Sequence, residues 1–96
     1  EYSAVAANHA GDPYEEVVTV AGKCCESGDI IIENKKLQRL SVGDTLAVLA
    51  TGAYNYSMAS NYNRIPRPAM VAVSGDKAGI VIKRETYENI VENDLL

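Results

Sequence analysis

Two polar stretches gather the side chains with the most chemistry to offer: Lys23-Cys24-Cys25-Glu26-Ser27-Gly28-Asp29, and Gly52-Ala53-Tyr54-Asn55-Tyr56-Ser57-Met58-Ala59-Ser60-Asn61-Tyr62-Asn63-Arg64. The first sets thiols beside carboxylates. A thiol with a pKa of ~8.5 lies close to working pH, so it can give up a proton and regain one from solvent. The second brings phenols, which are uncharged donors on rigid rings and can place an anion without neutralising it. Adjacent cysteines exclude a Cys-x-x-Cys metal knuckle and would strain a mutual disulfide, and unpaired thiols suit a reducing compartment. His9 is the single histidine, with no serine or carboxylate constellation evident around it in the sequence. A catalytic base there is not expected. The sequence holds neither metal-ligand spacing nor a Gly-rich phosphate loop.

Both stretches stand at the ends of apolar runs among turn residues, where side chains meet a neighbour rather than a core. Together they resemble the C-terminal β domain of bacterial meso-diaminopimelate decarboxylases, members of the alanine-racemase-like group of decarboxylases that use pyridoxal 5'-phosphate. The resemblance runs from about Tyr2 through Glu85-Thr86-Tyr87-Glu88. It implies conversion of meso-2,6-diaminopimelate to L-lysine and carbon dioxide, at a site completed by an N-terminal barrel and by the second subunit of a homodimer. In that chemistry the cofactor ring is the electron sink when the carboxylate leaves, and the carbanion must be protonated on one face.

The resemblance assigns that proton to Cys25, directly before Glu-Ser-Gly-Asp; a cysteine on composition alone reads as a small buried hydrophobe, and Cys24 keeps that reading. Strand alternation would point the two thiols to opposite faces. Glu26 corresponds to the position where ornithine-type enzymes carry Asp, and its carboxylate would accept hydrogen bonds from the distal ammonium of the substrate, fixing which end reacts. Tyr54 corresponds to the tyrosine that contacts the cofactor phosphate and lies beside the substrate, with Gly52 allowing close backbone approach. Asn55 stands where the family pattern most often has Gly and tolerates the same left-handed backbone. Asp29 corresponds to an acid that pairs with a barrel lysine across the dimer, though an Asp after Gly also stabilises turns. Tyr56, Asn61, Tyr62, Asn63 and Arg64 read as packing and hydrogen bonding around the loop and the subunit interface.

Ninety-six residues with 9 basic and 13 acidic side chains give a net charge of −4 and one small domain. No basic stripe is present to meet nucleic acid. No apolar run nears the ~20 residues a membrane span requires. A cytoplasmic protein is the expectation. The family's barrel alone would take about 250 residues, and the chain opens at Glu1-Tyr2 without an initiator methionine or a signal-peptide pattern. Residues 1–96 therefore read as one domain of a larger enzyme, with no cofactor expected on the piece by itself. Two alternatives stand beside this one: the equivalent domain of an ornithine, arginine or carboxynorspermidine decarboxylase, and a stand-alone β domain serving assembly.

The elements that must hold these residues are mostly strands. Glu15 to Ala21 is β-branched and ends at Gly22, and Ile30-Ile31-Ile32 forms another strand. Thr45 to Ala50 reads as a buried strand after a Val42-Gly43-Asp44 turn. Met70 to Val73 and Ile80 to Arg84 make a hairpin around a Gly-containing loop. Thr86 caps a helix with Tyr87, Ile90, Val91 and Leu95 at helical spacing, and Ser57 to Asn61 offers one further turn. Asn8 to Pro13 has the composition of a mobile loop. Short strands with turns between them predict a mainly β fold, an antiparallel β-sandwich or Greek-key barrel-like domain with a short C-terminal helix.

Overall fold

The computed structural model describes residues 2–53 and 55–95. The chain divides into two compact units, 1–53 and 54–96. Among the described residues, six strands form three two-stranded antiparallel ladders. The mainly antiparallel class and the C-terminal helix are as the sequence predicts. Among the described residues the ladders do not close into a barrel, because each strand pairs with one partner only.

In the first unit, β1 (Ala4–Ala6) pairs with β4 (Leu46–Val48), and β2 (Tyr14–Ala21) pairs with β3 (Ile30–Gln38). The alternation along β2 turns Val18 and Val20 inward and leaves Val17 and Thr19 exposed, as a half-buried strand requires. Val18 and Val20 pack with Tyr2, Leu40, Leu46 and Val48 around buried Ala4, Ile32 and Leu37. Gln38 is also fully buried, and its amide is used at both ends: Oε1 accepts the Ala6 N–H at 3.0 Å and Nε2 donates to the Ala10 carbonyl at 3.4 Å. Asn34 takes a left-handed φ of 52° at a register shift between Val18 and Val20. Its N–H meets Thr19 Oγ1 at 3.3 Å, so this β-bulge keeps a side-chain bond where the ladder breaks.

β4 is shorter than the run Thr45 to Ala50 and half-buried rather than buried. Ala50 turns left-handed, with φ 56°, and that ends the extended stretch. The Asn8 to Pro13 stretch is tied down: Ala7–His9 is a 3-10 turn, Asn8 Oδ1 accepts the Thr45 N–H at 3.0 Å, and Asn8 Nδ2 donates to Asp44 at 3.0 Å.

In the second unit, α1 (Asn55–Met58) begins two residues earlier than the Ser57 to Asn61 turn read from sequence. β5 (Met70–Ser74) and β6 (Lys77–Ile82) meet across a two-residue turn in which Gly75 has φ 61°. Glycine at the first central position with positive φ makes this a type II′ hairpin, tighter than the loop expected from composition. α2 (Tyr87–Val91) starts from a capping box in which Thr86 and Asn89 exchange side-chain-to-backbone bonds. It stops before Leu95, which is exposed.

Candidate functional site

The first polar stretch is the turn joining β2 to β3, and it is knotted by its own carboxylates. Asp29 reaches back so that Oδ2 accepts the Cys24 N–H at 2.6 Å. Its backbone carbonyl accepts the Gly22 N–H at 2.7 Å. Glu26 reaches forward: Oε2 accepts the Gly28 N–H at 2.8 Å, and Oε1 lies 3.4 Å from the Ser27 hydroxyl. Glu26 thereby caps the 3-10 turn Ser27–Asp29, whose first donors have no partner within the turn itself.

Two glycines sit where these carboxylates lie. A Cβ at Gly22 would stand 2.6 Å from Asp29 Cγ, and one at Gly28 would stand 2.5 Å from Glu26 Oε2. Neither glycine has a left-handed φ, so both positions need room rather than conformational freedom.

This frame separates the two thiols. Cys24 is half-buried and Cys25 is exposed, and both are free. They lie in a bend and not in a strand, so the alternation expected from sequence is not what parts them. Glu26, beside Cys25, is exposed, and Asp29 is half-buried. The turn thus presents Cys25 and Glu26, consecutive residues that are both open to a molecule arriving from outside the chain.

Tyr54 lies outside the described residues. Its neighbour Asn55 has a buried Oδ1 without a hydrogen-bond partner. A primary amide carries a donor at one end and an acceptor at the other, and either can be turned outward. At Gly52 no described atom lies within 4 Å of where a Cβ would be. The unpaired buried amide end of Asn55 fits a polar group of a bound cofactor.

Two clusters escape a reading by sequence. His9 Nε2 lies 3.3 Å from Asp44 Oδ1, and His9 Nδ1 lies 3.5 Å from Asp12 Oδ2. Folding sets His9 between two carboxylates, Asp12 three residues on and Asp44 from 35 residues away. Asp44 also accepts the Ser41 N–H and the Asn8 amide; these bonds, with His9 adding less, hold its carboxyl below its ordinary range. In the second unit Glu85 receives the Arg67 N–H at 2.6 Å, Asn61 Nδ2 at 2.7 Å and Arg67 Nη1 at 3.1 Å. The Arg67 backbone bond and then the Asn61 amide hold its carboxyl below the usual value, with the Arg67 charge contributing further. Arg67 Nε also donates to the Ala59 carbonyl at 3.1 Å. The signal was present in Pro66-Arg67-Pro68, which fixes an extended Arg with its N–H and side chain available. An open groove of about 450 Å³ beside this network is lined by Pro66 and residues 84–88, and contains none of Cys25, Glu26 or Asp29.

The family model described as "Pyridoxal-dependent decarboxylase, C-terminal sheet domain" matches residues 1–52. Diaminopimelate decarboxylase of Bacillus subtilis is 57% identical over 95 residues, covering 99% of this chain and 22% of that protein. A crystal structure of diaminopimelate decarboxylase from M. jannaschii superposes with a TM-score of 0.84 at 35% identity, over 99% of this chain and 21% of that one. A second from the same organism, in complex with L-lysine, gives 0.79 at 42% identity over 84% of this chain and 19% of that one. The chain spans about a fifth of the length of these relatives.

Proposed function

The chain belongs to the family of pyridoxal-dependent decarboxylase C-terminal sheet domains, and from that premise we propose that residues 1–96 are the C-terminal domain of a two-domain diaminopimelate decarboxylase. The enzyme would release carbon dioxide from meso-2,6-diaminopimelate and yield L-lysine in the cytoplasm. It would act as a homodimer whose N-terminal barrels carry the cofactor. The observation that carries the reading is the exposed Cys25–Glu26 pair on a turn braced from within, in a chain alike to diaminopimelate decarboxylases over nearly its whole length.

Bound pyridoxal 5'-phosphate supplies an electron sink for the pair left behind when the carboxylate departs. Tyr54 and the Asn55 amide would hold its phosphate side. Glu26 would accept hydrogen bonds from the substrate's distal ammonium, so that only the other end reaches the reacting position. Its bond to Gly28 N–H does not forbid this, since a carboxylate has about four acceptor sites. The carbon that loses carbon dioxide keeps the electron pair of the broken C–C bond, and the Cys25 thiol delivers a proton to it. Solvent then restores the thiol. Asp29 would contribute to the contact between subunits.

Assaying full-length enzyme for lysine and carbon dioxide from meso-diaminopimelate tests the proposal, with ornithine and arginine as competing substrates. Turnover of meso-diaminopimelate in preference to both is the expected result. Faster turnover of ornithine or arginine would place the chain in a neighbouring decarboxylase. This chain by itself should bind the cofactor at no specific lysine; stoichiometric, borohydride-trappable labelling of one lysine with lysine production would contradict that.

A further inference from the structure

The turn that carries Cys25 is held by a carboxylate to which the proposed proton transfer gives no part. Asp29 Oδ2 takes the N–H of Cys24 at 2.6 Å while its backbone carbonyl takes the N–H of Gly22. One residue therefore grips the turn at two points on the far side and immediately ahead of the exposed thiol. A carboxylate accepting a backbone N–H makes a short, charge-assisted bond. Holding the Cys24 N–H fixes the orientation of the planar 23–24 peptide, the one immediately ahead of the peptide that carries residue 25.

Gly22 is the other half of the arrangement. Any Cβ there would meet the Asp29 carboxyl group, with Cγ at 2.6 Å. An acid side chain can ordinarily swing away from such a contact, but this one could do so only by giving up the Cys24 bond. The half-buried state of Asp29 fits an inward-facing bond, beside exposed Cys25 and Glu26.

We infer that Asp29 is a positioning residue, which sets where the Cys25 thiol stands through the backbone of Cys24, with Gly22 as the space it requires. The inference rests on the reading of Cys25 as proton donor, and it gives Asp29 a task inside its own chain distinct from contact with another subunit.

Three variants of the full-length enzyme separate the two tasks. Asp29→Asn removes the charge and keeps an acceptor for the Cys24 N–H; Asp29→Ala removes both; Gly22→Ala displaces the carboxylate without altering it. Positioning predicts that Asp29→Ala and Gly22→Ala lower kcat about 100-fold, the loss that follows from a reacting group misplaced by roughly 1 Å. KM should stay within about threefold, because the thiol acts after binding. Asp29→Asn should stay within about threefold of the parent in both constants. The rate of alkylation of Cys25 by iodoacetamide, measured against a Cys24→Ser background, should change in the two alanine variants and not in Asp29→Asn. An Asn variant as impaired as the Ala variant, assayed at concentrations where it remains dimeric, would assign the effect to the charge and overturn the inference. Parent-like kcat in Asp29→Ala would overturn it as well. If Asp29→Ala does not fold, Asp29→Asn and Gly22→Ala decide by the same criteria. A parent enzyme that does not act on meso-diaminopimelate would defeat the functional reading alone, and the alkylation series would still judge the positioning.

Discussion

Cys24 and Cys25 are joined by one peptide bond and differ in what they can reach, since the first is half-buried and the second exposed. In full-length enzyme Cys25→Ala should lower kcat by about 10²–10⁴, the usual worth of a positioned proton donor, and leave KM little changed. Cys24→Ala should be mild, and equal losses in steady-state kinetics would reverse the assignment. Glu26→Gln keeps the shape of the side chain and removes its charge, so it should raise KM for meso-diaminopimelate more than it lowers kcat; a KM unchanged within error would detach Glu26 from the ammonium. The order Cys-Glu-Ser-Gly-Asp singles out Cys25 and Glu26 through the family resemblance. The partnership of Gly22 with Asp29 was not readable, because residues seven apart meet only through the particular path of the turn. The Asp44 partner of His9 was hidden for the same reason over a longer span.

At the level of elements, the signals that could be read were local ones. Thr86 ahead of an apolar period announced α2, and the capping box with Asn89 confirms the reason. Thr86→Ala should cost that helix about 1 kcal/mol, seen as roughly fivefold faster amide exchange at Ile90. Unaltered exchange there would mean that packing rather than the cap holds the first turn. The β2 alternation and the Gly75 turn were equally plain. β4 was overextended because nothing in Leu49-Ala50 warns of a left-handed alanine, a conformation imposed by its surroundings and not by preference. Asn34 announces its bulge only weakly, since Asn also serves ordinary turns.

At the scale of the molecule, among the described residues each compact unit has one carboxyl group held below its ordinary range: Asp44 in the first and Glu85 in the second. A lowered folded pKa means that the unfolded chain binds protons more readily than the native one. The bonds around Asp44 and Glu85 therefore contribute fully above the ordinary values of 3.8 and 4.5, and are lost as pH falls through the lower folded values. Urea midpoints measured from pH 7 down to pH 2 should fall through this window, and Asp44→Asn or Glu85→Gln should flatten the fall. A slope identical in parent and variants would rule these two groups out as its source.

The β1–β4 ladder, which pairs Ala4 with Val48, encloses the whole β2–β3 hairpin in sequence. This nesting dictates an order of events. A hairpin closes locally in about 1–10 μs, whereas the outer ladder must first bring distant segments together and gains little until the inner strands offer a surface to pack on. Shortening Asn8, whose bonds to Thr45 and Asp44 stitch the outer closure, should therefore accelerate unfolding and leave the folding rate nearly untouched. Stopped-flow rates for Asn8→Ala measure this, and a slowed folding arm would invert the sequence. The turn bearing Cys25 is the tip of the inner hairpin, so it is built before the outer ladder shuts and can outlast its opening.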